Sequence, residues 1–127
     1  MKEIILKIAQ QAKDSSRKLS NLSTKIKNDS LQAMAELLEE RADFLIEANF
    51  RDIHYAKEKG LSSAMIDRLT LNPVRIKDMA KGLREIAALP DPVGEVVRMW
   101  RRPNGLQIGK LRVPLGVIGI IYESRPN

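Results

Sequence analysis

Through residues 1–92 the apolar positions recur at three- and four-residue steps; beyond them the period shortens to two and then gives way to a continuous apolar run. Three- and four-residue steps put side chains on one face of a helix. Ile4, Ile5, Ile8, Ala12 and Leu19 trace a loose first stripe. Leu31, Met34, Ala35, Leu38, Ala42, Leu45 and Ile46 trace a continuous second one, with Glu36, Glu39, Glu40, Arg41 and Asp43 on the opposite side. Asn49 is expected to break or re-cap that helix. A shorter helix then turns Ile53 and Ala56 inward and closes at Gly60, which suits a left-handed C-terminal cap. Asn72-Pro73 opens the last helix, because Asn caps and Pro fits the first helical position without losing a needed donor. Its buried stripe is Ile76, Met79, Ala80, Leu83, Ile86 and Ala87, and Pro90 and Pro92 end it.

The segments 93–102 and 106–113 are strand-like and flank Pro103-Asn104-Gly105, so they predict a β-hairpin. Pro pre-sets the turn, while Asn and Gly tolerate positive φ. In the second arm the apolar phase shifts between Ile108 and Leu111, and Gly109 at the shift suggests a bulge or bend. The run Val113 to Tyr122 is rich in Val and Ile and nearly unbroken, the pattern of a strand covered on both faces. It breaks abruptly into Glu123-Ser124-Arg125-Pro126-Asn127, at the carboxyl end where open α/β sheets place their ligands. Gly116 and Gly119 lie inside this strand and open no helix, so they form no dinucleotide fingerprint; close backbone packing is the expected role of glycine there, with direct cofactor contact the lesser alternative. The fold class expected is α/β.

Composition adds limits. The chain has 127 residues, one domain's worth, with 43% apolar content. The formal charge of +6 invites a nucleic-acid reading. However, the basic excess is split between the first helix and the group Arg98, Arg101, Arg102, Lys110 and Arg112, and aromatic residues are only 4%. Stacking platforms for bases are therefore scarce, and solvated faces are the expected reading. There is no cysteine, which excludes disulfides and thiolate metal sites; no metal is expected. The charged amino terminus is neither a signal peptide nor a membrane span, and the cytoplasm is the expected compartment. His54, the single histidine, sits among charged residues and reads as solvated. Asp67-Arg68 reads as a structural ion pair at a helix end, and Met99 and Trp100 as packing or subunit contacts.

The residues Val113-Pro114-Leu115-Gly116-Val117-Ile118-Gly119-Ile120-Ile121-Tyr122-Glu123-Ser124-Arg125-Pro126-Asn127 resemble the signature of the glutamate-5-semialdehyde dehydrogenases, or γ-glutamyl phosphate reductases, of the aldehyde dehydrogenase superfamily. Three further stretches agree in order and separation: Asp67-Arg68-Leu69-Thr70-Leu71, Leu89-Pro90-Asp91-Pro92-Val93-Gly94-Glu95-Val96 and Arg102-Pro103-Asn104-Gly105-Leu106. Together they are specific; singly each is weak. The family's chains are several times longer, so the resemblance implies an amino-terminal piece. Its fold would be the helix-rich part of a Rossmann-type domain with a projecting hairpin. Residues 1–92 would be the helical part of the cofactor-binding domain, 93–113 an oligomerisation hairpin (an ordinary edge hairpin within one chain fits its basic face equally), and 114–127 the first buried strand of the cofactor sheet.

The resemblance implies NADPH-dependent reduction of L-glutamyl 5-phosphate to L-glutamate 5-semialdehyde with release of phosphate, a step of proline biosynthesis. A thiolate displaces phosphate, and the resulting thioester accepts hydride. With no cysteine here, the piece by itself is expected to lack reductase activity. Asn127 would donate to the developing oxyanion, Ser124 and Arg125 would hold the acyl phosphate substrate, and Glu123 and Pro126 would line the cofactor. By residue types alone, a Glu123–Arg125 surface pair with a turn at Pro126-Asn127 is slightly favoured; the resemblance turns the balance towards the functional role. The partners implied are the small-molecule substrate and further copies joined through the hairpin, with no nucleic acid and no membrane. A different class of reading is a stand-alone helical partner-binding module derived from such an enzyme.

Overall fold

The computed structural model describes residues 2–121. It contains α1 (Lys2–Leu19), α2 (Thr24–Glu40), α3 (Ala42–Glu58), α4 (Ser63–Leu69), α5 (Pro73–Ala88), β1 (Val96–Arg101) and β2 (Gln107–Leu111). Helices and strands are both present, as the α/β expectation requires, but the only sheet among the described residues is the antiparallel pair β1–β2. The chain divides into two compact units. Among the described residues one comprises 2–24 with 90–120, the other 25–89.

In the helical unit, the long helix expected from Leu31 onward is in fact two. Arg41 leaves helical geometry, with φ −99° and ψ 16°, and separates α2 from α3. Asn49 neither breaks nor caps a helix; it lies inside α3 and is buried. The helix carrying Ile53 and Ala56 is the same α3, and Gly60 follows its end with φ 70°, as expected of a left-handed terminator. The short helix α4 was expected only through the helix end read at Asp67-Arg68. Ser62 caps it, its hydroxyl accepting from the Met65 N–H at 3.4 Å. Asn72 caps α5 as expected, its Oδ1 accepting from the Arg75 N–H at 2.9 Å with Pro73 in the first turn.

The core of this unit is thin. Its buried apolar side chains are Ala35, Ala56, Ala80, Ala87 and Ile76, and Ile76 alone of them is large. Alanine lets helices approach closely but removes little apolar surface from water. Met34 and Ile86, both expected inside, are 52% and 55% exposed. Leu38, Leu45, Ile46, Met79 and Leu83 are half-buried.

In the other unit α1 buries no residue. Leu89, Pro90 and Asp91 lead into the hairpin. The Asp91 carboxylate accepts from the Thr24 hydroxyl at 2.9 Å and from the Val93 N–H at 3.0 Å, which fastens this approach to Thr24 within the same unit. The strands pair Met99 with Gly109, Trp100 with Ile108 and Arg101 with Gln107. The irregularity lies between Val96 and Arg98, which face Leu111 and Lys110. The bulge is thus at Val97 in the first arm and not at Gly109, whose added Cβ would meet Met99 Cγ at an ordinary 3.8 Å. One extra residue in β1 accounts for the phase shift read in β2. At the tip, Gly105 N–H donates to Arg102 O at 2.9 Å and Arg102 N–H donates to Leu106 O at 2.8 Å. Gly105 has φ 84°; Asn104 stays at negative φ. This is a three-residue loop closed by glycine in the left-handed region.

The interior strand expected from Val113 is not formed over residues 112–121, which carry no regular structure. Leu115 is 89% exposed and Ile121 fully so. An extended apolar run becomes a sheet strand only when neighbouring strands satisfy its N–H and C=O groups. Among the described residues no such neighbour exists, so its backbone meets solvent.

Candidate functional site

Glu123, Ser124, Arg125, Pro126 and Asn127, the residues singled out for oxyanion, substrate and cofactor contacts, lie outside the described residues. What the structure does assemble are two constructions on the helical unit and one on the hairpin.

The first is the corner between α4 and α5. Asn49 donates its side-chain amide to Leu69 O at 2.9 Å and accepts from the Leu71 N–H at 2.7 Å. One buried amide thereby satisfies a carbonyl left over by the end of α4 and an N–H of the connecting turn. Arg75 completes the corner. Its guanidinium pairs with the Asp67 carboxylate at 2.9 Å and donates to Thr70 O at 2.7 Å and to Asp67 O. The pair expected between Asp67 and Arg68 is therefore an Asp67–Arg75 pair, spanning two helices. The stretch Asp67-Arg68-Leu69-Thr70-Leu71 is structural, as expected, but it works mainly through its backbone. Sequence reading missed Asn49 and Arg75. An Asn in the middle of a strongly amphipathic helix was the available signal, since Asn there forgoes helix propensity for some other bond.

The second is an apolar groove of about 850 Å³ between α2, α3 and α5, lined by residues such as Leu37, Phe44, Leu45, Met79 and Leu83. Beside it the Arg84 guanidinium grips Glu39 with two bonds, at 2.9 and 2.5 Å, joining α5 to α2. That hydrogen bond, reinforced by the charge of Arg84 and more weakly of Lys77, holds the Glu39 carboxyl below its ordinary value, against a smaller opposing effect of desolvation. The same bond raises Arg84. The groove offers apolar side chains and almost no hydrogen-bonding groups, so it is no cradle for a dinucleotide.

The third is the hairpin. The register sets Lys110 opposite Arg98, and Arg98 lies over the Trp100 ring, 5.4 Å from its centre. Arg112 is paired with Glu95 at 3.3 Å, so the basic group expected here is partly neutralised. Val96, Val97, Met99 and Leu111 are exposed. His54 is solvated as expected and faces Glu58 at 3.4 Å. Among the described residues no cluster of His, Asp or Glu could hold a metal ion, and no helix is long and apolar enough to cross a membrane.

The described residues thus define a class: an α/β scaffold of five helices and a two-stranded arm. No protein-family model matches the chain. Individual proteins do. It is 64% identical over 118 residues to the γ-glutamyl phosphate reductase of Moorella thermoacetica, covering 93% of this chain and 28% of that protein. It is 54% identical over all 127 residues to the enzyme of the same name from Thermodesulfovibrio yellowstonii, of which it covers 30%. The solved γ-glutamyl phosphate reductase of Thermotoga maritima superposes with a TM-score of 0.82 at 39% identity, over 86% of this chain and 26% of that one. The chain is therefore similar to γ-glutamyl phosphate reductases along nearly its whole length, and it spans under a third of the length of the relatives it matches.

Proposed function

We propose that this chain is a scaffold segment of a γ-glutamyl phosphate reductase, an NADPH-dependent enzyme that reduces L-glutamyl 5-phosphate to L-glutamate 5-semialdehyde with release of phosphate, in proline biosynthesis and in the cytoplasm. The observation that carries this reading is the 54–64% identity to proteins of that name across the chain. NADPH supplies hydride when bound. By the resemblance, Glu123 and Pro126 would line it. Arg125 and Ser124 would hold the acyl phosphate, and Asn127 would donate to the oxygen that gains charge. The nucleophilic sulfur must come from elsewhere, because this chain has no cysteine.

In this reading residues 1–92 build the helical part of a Rossmann-type cofactor domain. The run 114–127 becomes its first buried strand once neighbouring strands are present, and the hairpin of 93–113 joins subunits. The exposed apolar residues on both arms of that hairpin support the last point, since a two-stranded ribbon is marginal unless something packs on it. The test is a chimaera in which this chain replaces the matching segment of the Moorella thermoacetica reductase. Glutamyl-phosphate-dependent NADPH oxidation is expected to persist, and Arg125→Ala within the chimaera to raise KM for the acyl phosphate. A correctly folded chimaera without activity would overturn the assignment.

A further inference from the structure

We infer that the hairpin tip is a self-modifying site: Asn104 converts spontaneously to aspartate and isoaspartate, and the conversion dismantles the turn. Asn104-Gly105 is the one Asn-Gly pair in the sequence; Asn21, Asn28, Asn49 and Asn72 are followed by Leu, Asp, Phe and Pro. Glycine carries no Cβ to shield its nitrogen, so the Gly105 nitrogen can reach the Asn104 side-chain carbonyl carbon. In the reaction the Gly105 N–H loses its proton and its nitrogen bonds Asn104 Cγ. The Cγ–Nδ2 bond breaks and ammonia leaves with that proton, which closes a succinimide ring. Water then opens the ring at either carbonyl, giving aspartate or, by the other cleavage, isoaspartate. No oxidant or enzyme is needed.

Two features of the tip govern the rate in opposite directions. In the closed turn Gly105 N–H is occupied by Arg102 O at 2.9 Å, and Asn104 Oδ1 accepts from the Leu106 N–H at 3.2 Å. Both bonds must open before attack. They sit at the end of a ribbon exposed on both faces, the kind of element that opens locally at little cost. Once it is open, cationic side chains favour the deprotonated nitrogen: Arg101 Nη2 lies 3.8 Å from where a Gly105 Cβ would be, and Arg102 is adjacent in sequence. Isoaspartate then routes the main chain through an extra methylene. The spacing that lets Gly105 N–H meet Arg102 O is lost, and a one-way change at one residue becomes a change in the whole arm.

The experiment is incubation of the purified chain in mildly alkaline buffer, with peptide mapping by mass spectrometry and isoaspartate detection over time. The expected result is an amide-to-acid mass gain at Asn104 several times faster than at Asn21 or Asn28, slowed in mildly acidic buffer, with isoaspartate the larger product. Conversion at Asn104 no faster than at Asn21 or Asn28 would overturn the inference. So would a rate that ignores pH, because the route passes through a deprotonated amide. Asn104→Gln, which retains an amide but must close a larger ring, is expected to lose most of the conversion; equal conversion in that variant would also sink it.

Discussion

At the scale of single residues, the most consequential side chain is Asn49. It is 4% exposed and bridges Leu69 O and the Leu71 N–H from the middle of α3. Replacing it by Ala leaves two part-buried backbone groups without partners, at a cost of about 2–4 kcal/mol. The better helix propensity of Ala returns only about 0.5 kcal/mol. Urea unfolding followed by helical circular dichroism is expected to show a lower midpoint. A change within about 0.5 kcal/mol, the range of an ordinary surface substitution, would show that the corner is held by other means. Periodicity located this residue on the helix but assigned it a break. That reading fails because helix propensity weighs an Asn as if its amide had only its own helix to bond. Its true partners lie 20 and 22 residues away, and nothing local to Asn49 encodes them. The caps Asn72 and Gly60 were legible for the converse reason: their partners are their own neighbours in sequence. The residues singled out for chemistry, from Glu123 to Asn127, were legible through resemblance more than through physics, and they lie outside the described residues.

At the scale of elements, helix faces were read more accurately than helix ends or burial. The stripe containing Ala35 is the inward one, yet its neighbour Met34 is half in water. A stripe specifies which side turns inward, not whether anything arrives to cover it. The hairpin shows the same limit. Its two arms and turn followed from two short apolar segments around Pro103-Asn104-Gly105, but the bulge was placed in the wrong arm. A phase slip in one strand and an extra residue in its partner leave the same trace in sequence. One cross-element tie yields a pH prediction. Arg84 holds the Glu39 carboxyl below its ordinary value, so the native state binds its proton less readily than the unfolded chain does. The contribution is therefore complete above the ordinary carboxylate value and is lost as pH falls through the lowered one. Arg84 is raised, and its contribution would fade only as pH climbs beyond the ordinary guanidinium range. Glu39→Gln is expected to lower the unfolding midpoint near neutrality by a small amount, since the pair is exposed. That deficit should close in acid. Thermal unfolding across the acid range checks it; parallel curves for the two proteins would mean that the pair does not link α2 to α5 energetically.

At the scale of the whole molecule, what stands out is how much apolar surface the chain leaves in water. Ile4, Ile5 and Ile8 of α1, Phe44 and Ile86 lining the groove, Met99 and Leu111 on the hairpin, and Val113, Leu115 and Ile118 beyond it are all exposed. Exposed apolar surface favours association where it forms contiguous patches. The chain alone is therefore expected to self-associate at micromolar concentration, seen as a rising apparent mass in light scattering. A charge-driven alternative is built into the same sequence, because a net charge of +6 can gather polyanions and mimic assembly. Salt separates the two. Contacts between basic side chains and phosphates weaken steeply as counter-ions compete. Burial of apolar surface is strengthened by sulfate, which is excluded from protein surfaces. Apparent mass should therefore hold or grow as sulfate is added. Dissolution of the assemblies by salt would assign them to charge, and a sharp monomer at every concentration would show that the exposed faces are adequately solvated. If association does follow the apolar route, the chimaera supplies the complementary result. The same side chains, given the rest of a reductase to pack against, should no longer drive concentration-dependent growth beyond the apparent mass of the parent enzyme.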